Sequence, residues 1–278
     1  MNGRPTEIEP LSNRLLVHRL SSALLPRAIH LRIHPNIITG AGLGFGLAAA
    51  ACYTHWADWR LATLGFLLMI GWHVMDGLDG QLARATGTSS NLGRLLDGIA
   101  DYSTFIAVYV ALALTQPDPR SALLLALAAG ASHALQAQFY EGERATYIRR
   151  GQGQFEPVAR PETGGPFERL YNRGEALLGN RARPFDRQLA DASPQRRAQL
   201  LAAWQPRAAA ILRASAPLSA NGRTLAIWLA ALVQQPSLFW LWEIVGLTLV
   251  ALAAARALRQ SERAAGNGRG GRPVAQQS

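Results

Sequence analysis

Residues 76–84 read DGLDGQLAR and residues 93–101 read GRLLDGIAD. Asp76 and Asp79 lie three residues apart at the end of one apolar segment, so on a helix they share a face. Asp97 and Asp101 lie four residues apart at the start of the next apolar segment and also share a face. A polar link lets the two helices return antiparallel. The sequence therefore predicts a helical hairpin that brings four carboxylates together at one depth of a membrane.

Long apolar segments flank this motif on both sides. A transmembrane helix needs about 20 mostly apolar residues. Of the 278 residues 49% are hydrophobic, but the mean hydropathy is only +0.04 because arginine-rich stretches separate the segments. We predict an all-α integral membrane protein with six transmembrane helices, at about 36–56, 59–83, 94–115, 120–140, 218–235 and 237–257. Small residues in the first helix predict close packing against its neighbours, namely Gly40, Gly42, Gly44 and Gly46.

Arginine placement predicts how these helices are oriented. All 28 basic residues are Arg. If both termini are cytoplasmic, only Arg60 and Arg120 face outward, as the positive-inside rule requires. We therefore predict an N-in/C-in protein of a bacterial inner (cytoplasmic) membrane, with its active-site cavity facing the cytoplasm. The N-terminus carries Glu7 and Glu9 and lacks a charged-then-apolar leader, so no cleavable signal peptide is expected.

Polar segments complete the predicted organisation. The predicted domains are a cytoplasmic amphipathic segment (1–35), helices one to four with the motif at 76–101 (36–140), an Arg-rich cytoplasmic insert (141–217), helices five and six (218–259) and a disordered tail (260–278). In the first segment, leucines recur at helical spacing opposite Arg14 and His18, which predicts a juxtamembrane amphipathic helix that Pro26 ends or bends. In the insert, Trp204 beside Arg207 lies in a predicted second surface helix.

The four carboxylates of the motif need counter-charges. Buried unpaired charge is costly, and Arg84 and Arg94 cannot neutralise four acids. Two divalent cations would balance them, and oxygen ligands without His or Cys nearby favour Mg²⁺, Mn²⁺ or Ca²⁺ over zinc. Paired ions about 3.5–4 Å apart are the usual device for displacement at phosphorus. We predict a site for two ions, Mg²⁺ or Mn²⁺, on Asp76, Asp79, Asp97 and Asp101.

The pattern Asp-x-x-Asp-Gly-x-x-Ala-Arg, eight residues, Gly-x-x-x-Asp-x-x-x-Asp resembles the defining motif of the CDP-alcohol phosphatidyltransferase family. Residues 76–101 match it at every motif position. The resemblance implies that a substituted phosphate passes from a CDP-linked lipid, such as CDP-diacylglycerol, to a small alcohol, with release of CMP, in phospholipid biosynthesis. It implies that Asp76, Asp79 and Asp97 bind the metals. It also implies that Asp101, close to one metal, deprotonates the acceptor hydroxyl.

The resemblance, and the positions of arginines along the predicted helices, indicate further site residues. The resemblance implies that the CDP moiety is bound by Asn36, Thr39, Gly80, Ala83, Arg84 and Gly93. Without it, Asn36 and Thr39 would equally be an N-terminal helix cap. Arg223, in the cytoplasmic third of the fifth predicted helix, either reaches the membrane interface or binds a phosphate or polyol of the acceptor. In the second case it would be joined by Arg144, Arg149 and Arg150.

Alternatives remain open for the function. Within the same chemistry, the donor could be a CDP-amino-alcohol and the acceptor a diradylglycerol. A cation transporter also carries intramembrane acids, but four acids at one edge beside glycines do not form a path across a membrane. A non-catalytic lipid-binding relative would be expected to have lost motif positions. The expected partners are the donor, the acceptor, the lipid bilayer and a second copy in a homodimer, with no nucleic acid.

Overall fold

The computed structural model of the chain describes residues 5–156 and 182–268, and every regular element within them is a helix. The predicted all-α class is therefore confirmed. The chain divides into two compact units, which we call the motif unit (residues 10–133 and 220–246) and the insert unit (residues 1–9, 134–219 and 247–278, as far as they are described). In chain order the helices are α1 (His18–His30), α2 (Pro35–Tyr53), α3 (Trp59–Thr86), α4 (Asn91–Leu114), α5 (Pro119–Gly151), α6 (Pro184–Asp191), α7 (Pro194–Ala214), α8 (Ala220–Leu232), α9 (Ser237–Leu241) and α10 (Leu247–Gly266).

Local capping fixes the helical hairpin of α3 and α4. α3 begins where a carboxylate oxygen of Asp58 accepts a hydrogen bond from the backbone N–H of Arg60 at 2.8 Å. It ends at Gly87, whose φ of 68° is left-handed and therefore suits glycine. α4 begins where the Ser90 hydroxyl oxygen accepts a bond from the backbone N–H of Gly93 at 3.0 Å. These caps give the short return that the motif spacing predicts.

Two of the four glycines of α2 are in close contact with neighbouring helices, as predicted for small residues four apart. A Cβ on Gly42 would lie 3.2 Å from the Cβ of Met75 on α3, and one on Gly46 would collide with the side chain of Thr104 on α4. Gly40 and Gly44 have open space around them. Gly42 and Gly46 therefore let α3 and α4 approach α2 closely.

Five helices among the described residues are long and apolar enough to cross a membrane: Pro35–Tyr53, Trp59–Thr86, Leu92–Leu114, Pro119–Gly151 and Ser237–Gly266. The predicted count of six is not confirmed. The fifth predicted span, 218–235, is occupied by α8, which has only 13 residues. At 1.5 Å per residue it is about 20 Å long, less than the roughly 30 Å of a bilayer core. A 3₁₀ turn at Ala216–Leu218 delays its start, and Gln234, at a φ of 60°, follows its end.

The N-terminal helix forms as predicted, with one difference. Leu11 and Leu20 are 64% and 44% exposed, as expected for a helix with an apolar outer face. Its other side contacts α3, because the Ser21 hydroxyl oxygen accepts a hydrogen bond from the Gln81 amide at 2.7 Å. Of the two effects predicted for Pro26, ending the helix does not occur, because Pro26 lies inside α1 and the helix continues to His30.

The insert unit has an apolar core where the sequence predicts a polar segment. Trp204 and Leu200 of α7 are buried against Tyr147 of α5 and Leu258 of α10. The predicted surface helix thus exists, but its apolar side is packed and its exposed side carries arginines, among them Arg207. Residues 157–181 of the predicted insert lie outside the described residues.

A network of buried ion pairs joins the helices of the insert unit. Arg150 is fully buried, and its guanidinium donates to Asp186 at 2.8 Å and to Glu262 at 2.7 Å. Arg183 bonds the same Glu262 at 3.0 Å and also pairs with Glu143. Burial acts to raise the pKa of Asp186, but the hydrogen bond and charge of Arg150, with smaller contributions from Arg183 and Arg149, lower it overall.

The start of the predicted disordered tail belongs to this network, so that part of the prediction is wrong. The sequence predicts disorder from residue 260, but α10 continues to Gly266, and Glu262 and Ala265 are buried in the unit. Because this stretch is polar on both faces, its sequence shows no helical pattern of apolar residues. In the structure one face is buried and forms ion pairs, and the other face is exposed. Residues 269–278 of the predicted tail lie outside the described residues.

Candidate functional site

Three of the four motif carboxylates converge in the motif unit. Asp76 on α3 and Asp97 and Asp101 on α4 each offer an oxygen, and these three oxygens lie within 4.8 Å of one another. All three side chains are partly buried. The two helices meet at this point because the short return at Gly87–Ser90 places the end of α3 beside the start of α4.

The fourth carboxylate occupies a different position. Asp79 is not in this group of three, and only 6% of it is exposed. One of its oxygens accepts a hydrogen bond from the hydroxyl of Thr39 on α2 at 2.7 Å. Thr39 therefore fixes the direction of Asp79 from a helix 40 residues earlier in the chain.

The group of three fits a hard divalent cation. Ligand oxygens lie about 2.0–2.1 Å from Mg²⁺ and 2.3–2.6 Å from Ca²⁺, so two oxygens on opposite sides of one ion are roughly 4–5 Å apart. Oxygens within 4.8 Å of one another meet this condition with little adjustment. Carboxylates are also the ligand type that these ions prefer.

A cavity of about 160 Å³ opens beside the carboxylates. All six residues predicted to bind CDP line it, together with the carboxylates of Asp79 and Asp97. The predicted six are Asn36, Thr39, Gly80, Ala83, Arg84 and Gly93.

Two glycines keep the cavity wall open. A Cβ on Gly80 would lie 3.2 Å from a terminal guanidinium nitrogen of Arg84. One on Gly93 would lie 3.2 Å from the Ser90 hydroxyl oxygen and 3.6 Å from the amide oxygen of Asn36. A side chain at either position would therefore press on groups that face the cavity.

Several residues that line the cavity were not predicted from the sequence. Thr88, Ser89 and Ser90 come from the return between α3 and α4, and Arg94 comes from the first turn of α4. Arg94 could have been predicted, because it lies three residues before Asp97 and so on the same helical face. The hydroxyl residues had no comparable signal, since a polar link also reads as an ordinary turn.

The four arginines predicted to bind the acceptor all face carboxylates. In the insert unit, Arg149 pairs with Asp186 at 3.1 Å, Arg150 with Asp186 and Glu262, and Arg144 with Glu141 at 2.7 Å. The guanidinium of Arg144 also lies over the ring of Tyr140.

In the motif unit, Arg223 of α8 is 1% exposed and its Nε donates to Glu243 at 2.8 Å. The hydroxyl of Tyr109 donates to the other carboxylate oxygen of Glu243 at 3.2 Å. Thr224, next to Arg223 on α8, shares a hydrogen bond with His73 of α3 at 3.0 Å. Buried polar pairs thus join the short helix α8 to the longer helices of the unit.

Comparison with known proteins agrees with this geometry. Residues 32–143 match the family model described as CDP-alcohol phosphatidyltransferase. The chain is also 33% identical over 110 residues to a Schizosaccharomyces pombe protein described as an uncharacterized CDP-alcohol phosphatidyltransferase class-I family protein. That similarity covers 36% of the chain and 28% of the relative. The matched region contains the motif and every residue that lines the cavity.

Proposed function

Because residues 32–143 match the family model of the CDP-alcohol phosphatidyltransferases, we propose that the chain transfers a phosphatidyl group from a CDP-linked lipid, CDP-diacylglycerol in the first instance, to an alcohol, releasing CMP. The observation that carries the proposal is one cavity lined by all six expected nucleotide contacts beside three converging carboxylates. A small alcohol rather than a diradylglycerol is the proposed acceptor.

The family is generally dependent on divalent metals, and the donor set here is suited to them. We propose that Asp76, Asp97 and Asp101, with Asp79, hold two ions, Mg²⁺ or Mn²⁺. Bound there, the ions would supply positive charge that stabilises the phosphorus centre and the leaving phosphate.

The chain's own residues would bind and orient the donor. Arg84 and Arg94 line the cavity and are placed to attract the diphosphate, since guanidinium groups match phosphate oxygens well. Asn36 and Thr39 of α2 line the same cavity. Thr39 has a second task, because its hydrogen bond keeps Asp79 turned towards the cavity.

Asp101 is the proposed general base. It would take the proton of the acceptor hydroxyl while that oxygen forms a bond to the phosphorus carrying the lipid. The bond from this phosphorus to the CMP oxygen breaks in the same displacement, so that CMP leaves with the electron pair. Direct transfer in this form needs no covalent enzyme intermediate.

The membrane arrangement is proposed on the same basis. With both termini cytoplasmic and α8 inserted as a short sixth helix, the cavity faces the cytoplasm and donor acyl chains lie in lipid. Acceptor binding by Arg144, Arg149, Arg150 and Arg223 stays a prediction, and their carboxylate partners favour a structural role for Arg150 and Arg223. The bacterial inner membrane and the homodimer also stay predictions.

The test is CMP release by the purified protein in detergent, with CDP-diacylglycerol, Mg²⁺ and a panel of alcohols. We expect release that depends on one alcohol and is absent from an Asp97→Asn variant. Release only with a CDP-amino-alcohol and a diradylglycerol would reverse the donor and acceptor. Cation flux into liposomes without CMP release under any condition would support a transporter and refute the proposal.

A further inference from the structure

The exposed face of the last helix changes character along its length. Leu249, Leu252, Arg256, Arg259 and Arg263 follow one another at alternating spacings of three and four residues, so they form one continuous stripe. Both leucines are 62% exposed, and all three arginines are exposed. We call this set the C-terminal stripe.

The opposite face of the same helix is committed to the core. Ala254, Leu258, Glu262 and Ala265 are buried there, and Glu262 pairs with Arg150 and Arg183. Among the described residues, no carboxylate forms an ion pair with an arginine of the stripe. The buried network therefore uses the acid of this helix and leaves its arginines facing outward.

The distances between the residues of the stripe along the helix axis match the thickness of the lipid headgroup layer. Arg256 lies about 6 Å along the axis beyond Leu252, Arg259 about 10 Å and Arg263 about 16 Å. Each headgroup layer is roughly 5–8 Å thick. If the exposed leucines lie in the hydrocarbon, Arg256 and Arg259 lie among the headgroups. Arg263 then reaches their outer edge through its long side chain.

The length of the last apolar helix places the arginines of the stripe at the same depth of the membrane. The apolar helix Ser237–Gly266 has 30 residues, which corresponds to about 45 Å. The hydrocarbon core takes up only about 30 Å of this. About ten residues must therefore project beyond the core, and the arginines of the stripe begin where this projection begins.

We propose that the C-terminal stripe is a binding surface for anionic phospholipid headgroups of the leaflet next to it. Arginine forms paired hydrogen bonds with phosphate, and three in register supply charge complementary to an acidic lipid surface. The exposed leucines continue the same surface into the acyl chains. The inference goes beyond the proposed transferase function and does not depend on turnover.

Lipid selectivity measured by electron paramagnetic resonance tests the proposal. The protein would be reconstituted in phosphatidylcholine vesicles, with spin-labelled phosphatidylserine or spin-labelled phosphatidylcholine as the probe. We expect phosphatidylserine to be favoured on the order of fivefold, the factor for one arginine near an anionic surface. The preference should largely disappear in about 1 M salt, where the Debye length is about 3 Å.

Matched variants locate the effect. The triple variant R256Q/R259Q/R263Q should bring the selectivity close to one, whereas R256K/R259K/R263K should retain most of it. The control R187Q/R196Q/R207Q removes the same charge from exposed arginines of the insert unit that lie off the stripe, and it should retain the selectivity. Equal loss in the control would show only general charge attraction and would overturn the proposal. So would unchanged selectivity in the first variant, whether or not the protein releases CMP.

Discussion

Replacing Arg223 by Gln tests whether this arginine holds the fold together or binds a substrate. Its Nε donates to Glu243 at 2.8 Å, and the two side chains are 1% and 0% exposed. The pair connects α8, which is too short to fill the membrane by itself, to the π-helical turn Trp242–Gly246. Arg223→Gln removes the positive charge and leaves the carboxylate in the interior.

The expected cost follows from this burial. Removing one partner of a buried ion pair typically costs about 3–5 kcal/mol, because the remaining charge stays desolvated. The hydroxyl of Tyr109, 3.2 Å from Glu243, offsets part of this loss, so we expect a value near 3 kcal/mol. Arg223→Gln combined with Glu243→Gln should cost less than the sum of the single changes by about 2 kcal/mol, a coupling usual for residues in contact.

Unfolding in mixed micelles of rising dodecyl sulfate fraction measures these free energies. Arg120→Gln is the control, since Arg120 is exposed and should change stability by less than about 0.5 kcal/mol. Additive costs for Arg223 and Glu243 would contradict the ion-pair account. An Arg223→Gln protein of normal stability with a raised KM for the acceptor would refute it and favour acceptor binding.

Four further predictions concern the site and the insert unit. A chelator should abolish CMP release and Mg²⁺ or Mn²⁺ should restore it; full turnover in chelator would contradict the metal site. Asp101→Asn should keep donor affinity, measured by calorimetry, while turnover falls by about 10²–10⁴, whereas Asp79→Asn should weaken donor and metal binding together. Arg94→Ala should raise the KM for the CDP-lipid about tenfold with little change in kcat, and Arg94→Lys should recover part of the loss; a normal KM in the Ala variant would remove Arg94 from the site. Asp186→Asn should destabilise the protein by about 3 kcal/mol at neutral pH. Because the folded-state pKa of Asp186 is lowered, wild type should keep this advantage at neutral pH and lose it as the pH falls below the ordinary carboxyl pKa and through the lowered one.

The motif hairpin could be predicted because its signals are local. Spacings of three and four residues place the acids of α3 and α4 on facing sides, and Gly87 and Ser90 mark the return. The closure of the cavity by α2 was accessible only through the family resemblance. Nothing in the sequence around Thr39 indicates a hydrogen bond to Asp79, 40 residues away.

The length of α8 and the fold of the insert could not be predicted by the same means. Counting apolar residues gives a full span at 218–235, but a 3₁₀ turn before Ala220 and the turn after Leu232 limit the helix. Arginine-rich composition indicates a solvated surface, yet Arg150 and Arg183 are buried. Their partner Glu262 is 112 residues from Arg150 in sequence, so no local pattern reveals the pair.

The position of the nearest carboxylate explains how one residue type performs three roles in this chain. Where acids from distant segments surround it, as at Arg150, the guanidinium is buried and joins helices. Where acids lie beside an open cavity, as at Arg94, the guanidinium lines a space for an anionic ligand. Where the described residues supply no ion-pair partner, as at Arg259, the side chain faces outward and the membrane becomes the source of negative charge. These arginines are indistinguishable in the amino-acid composition. They differ in the structure, because different numbers of carboxylates lie near each guanidinium.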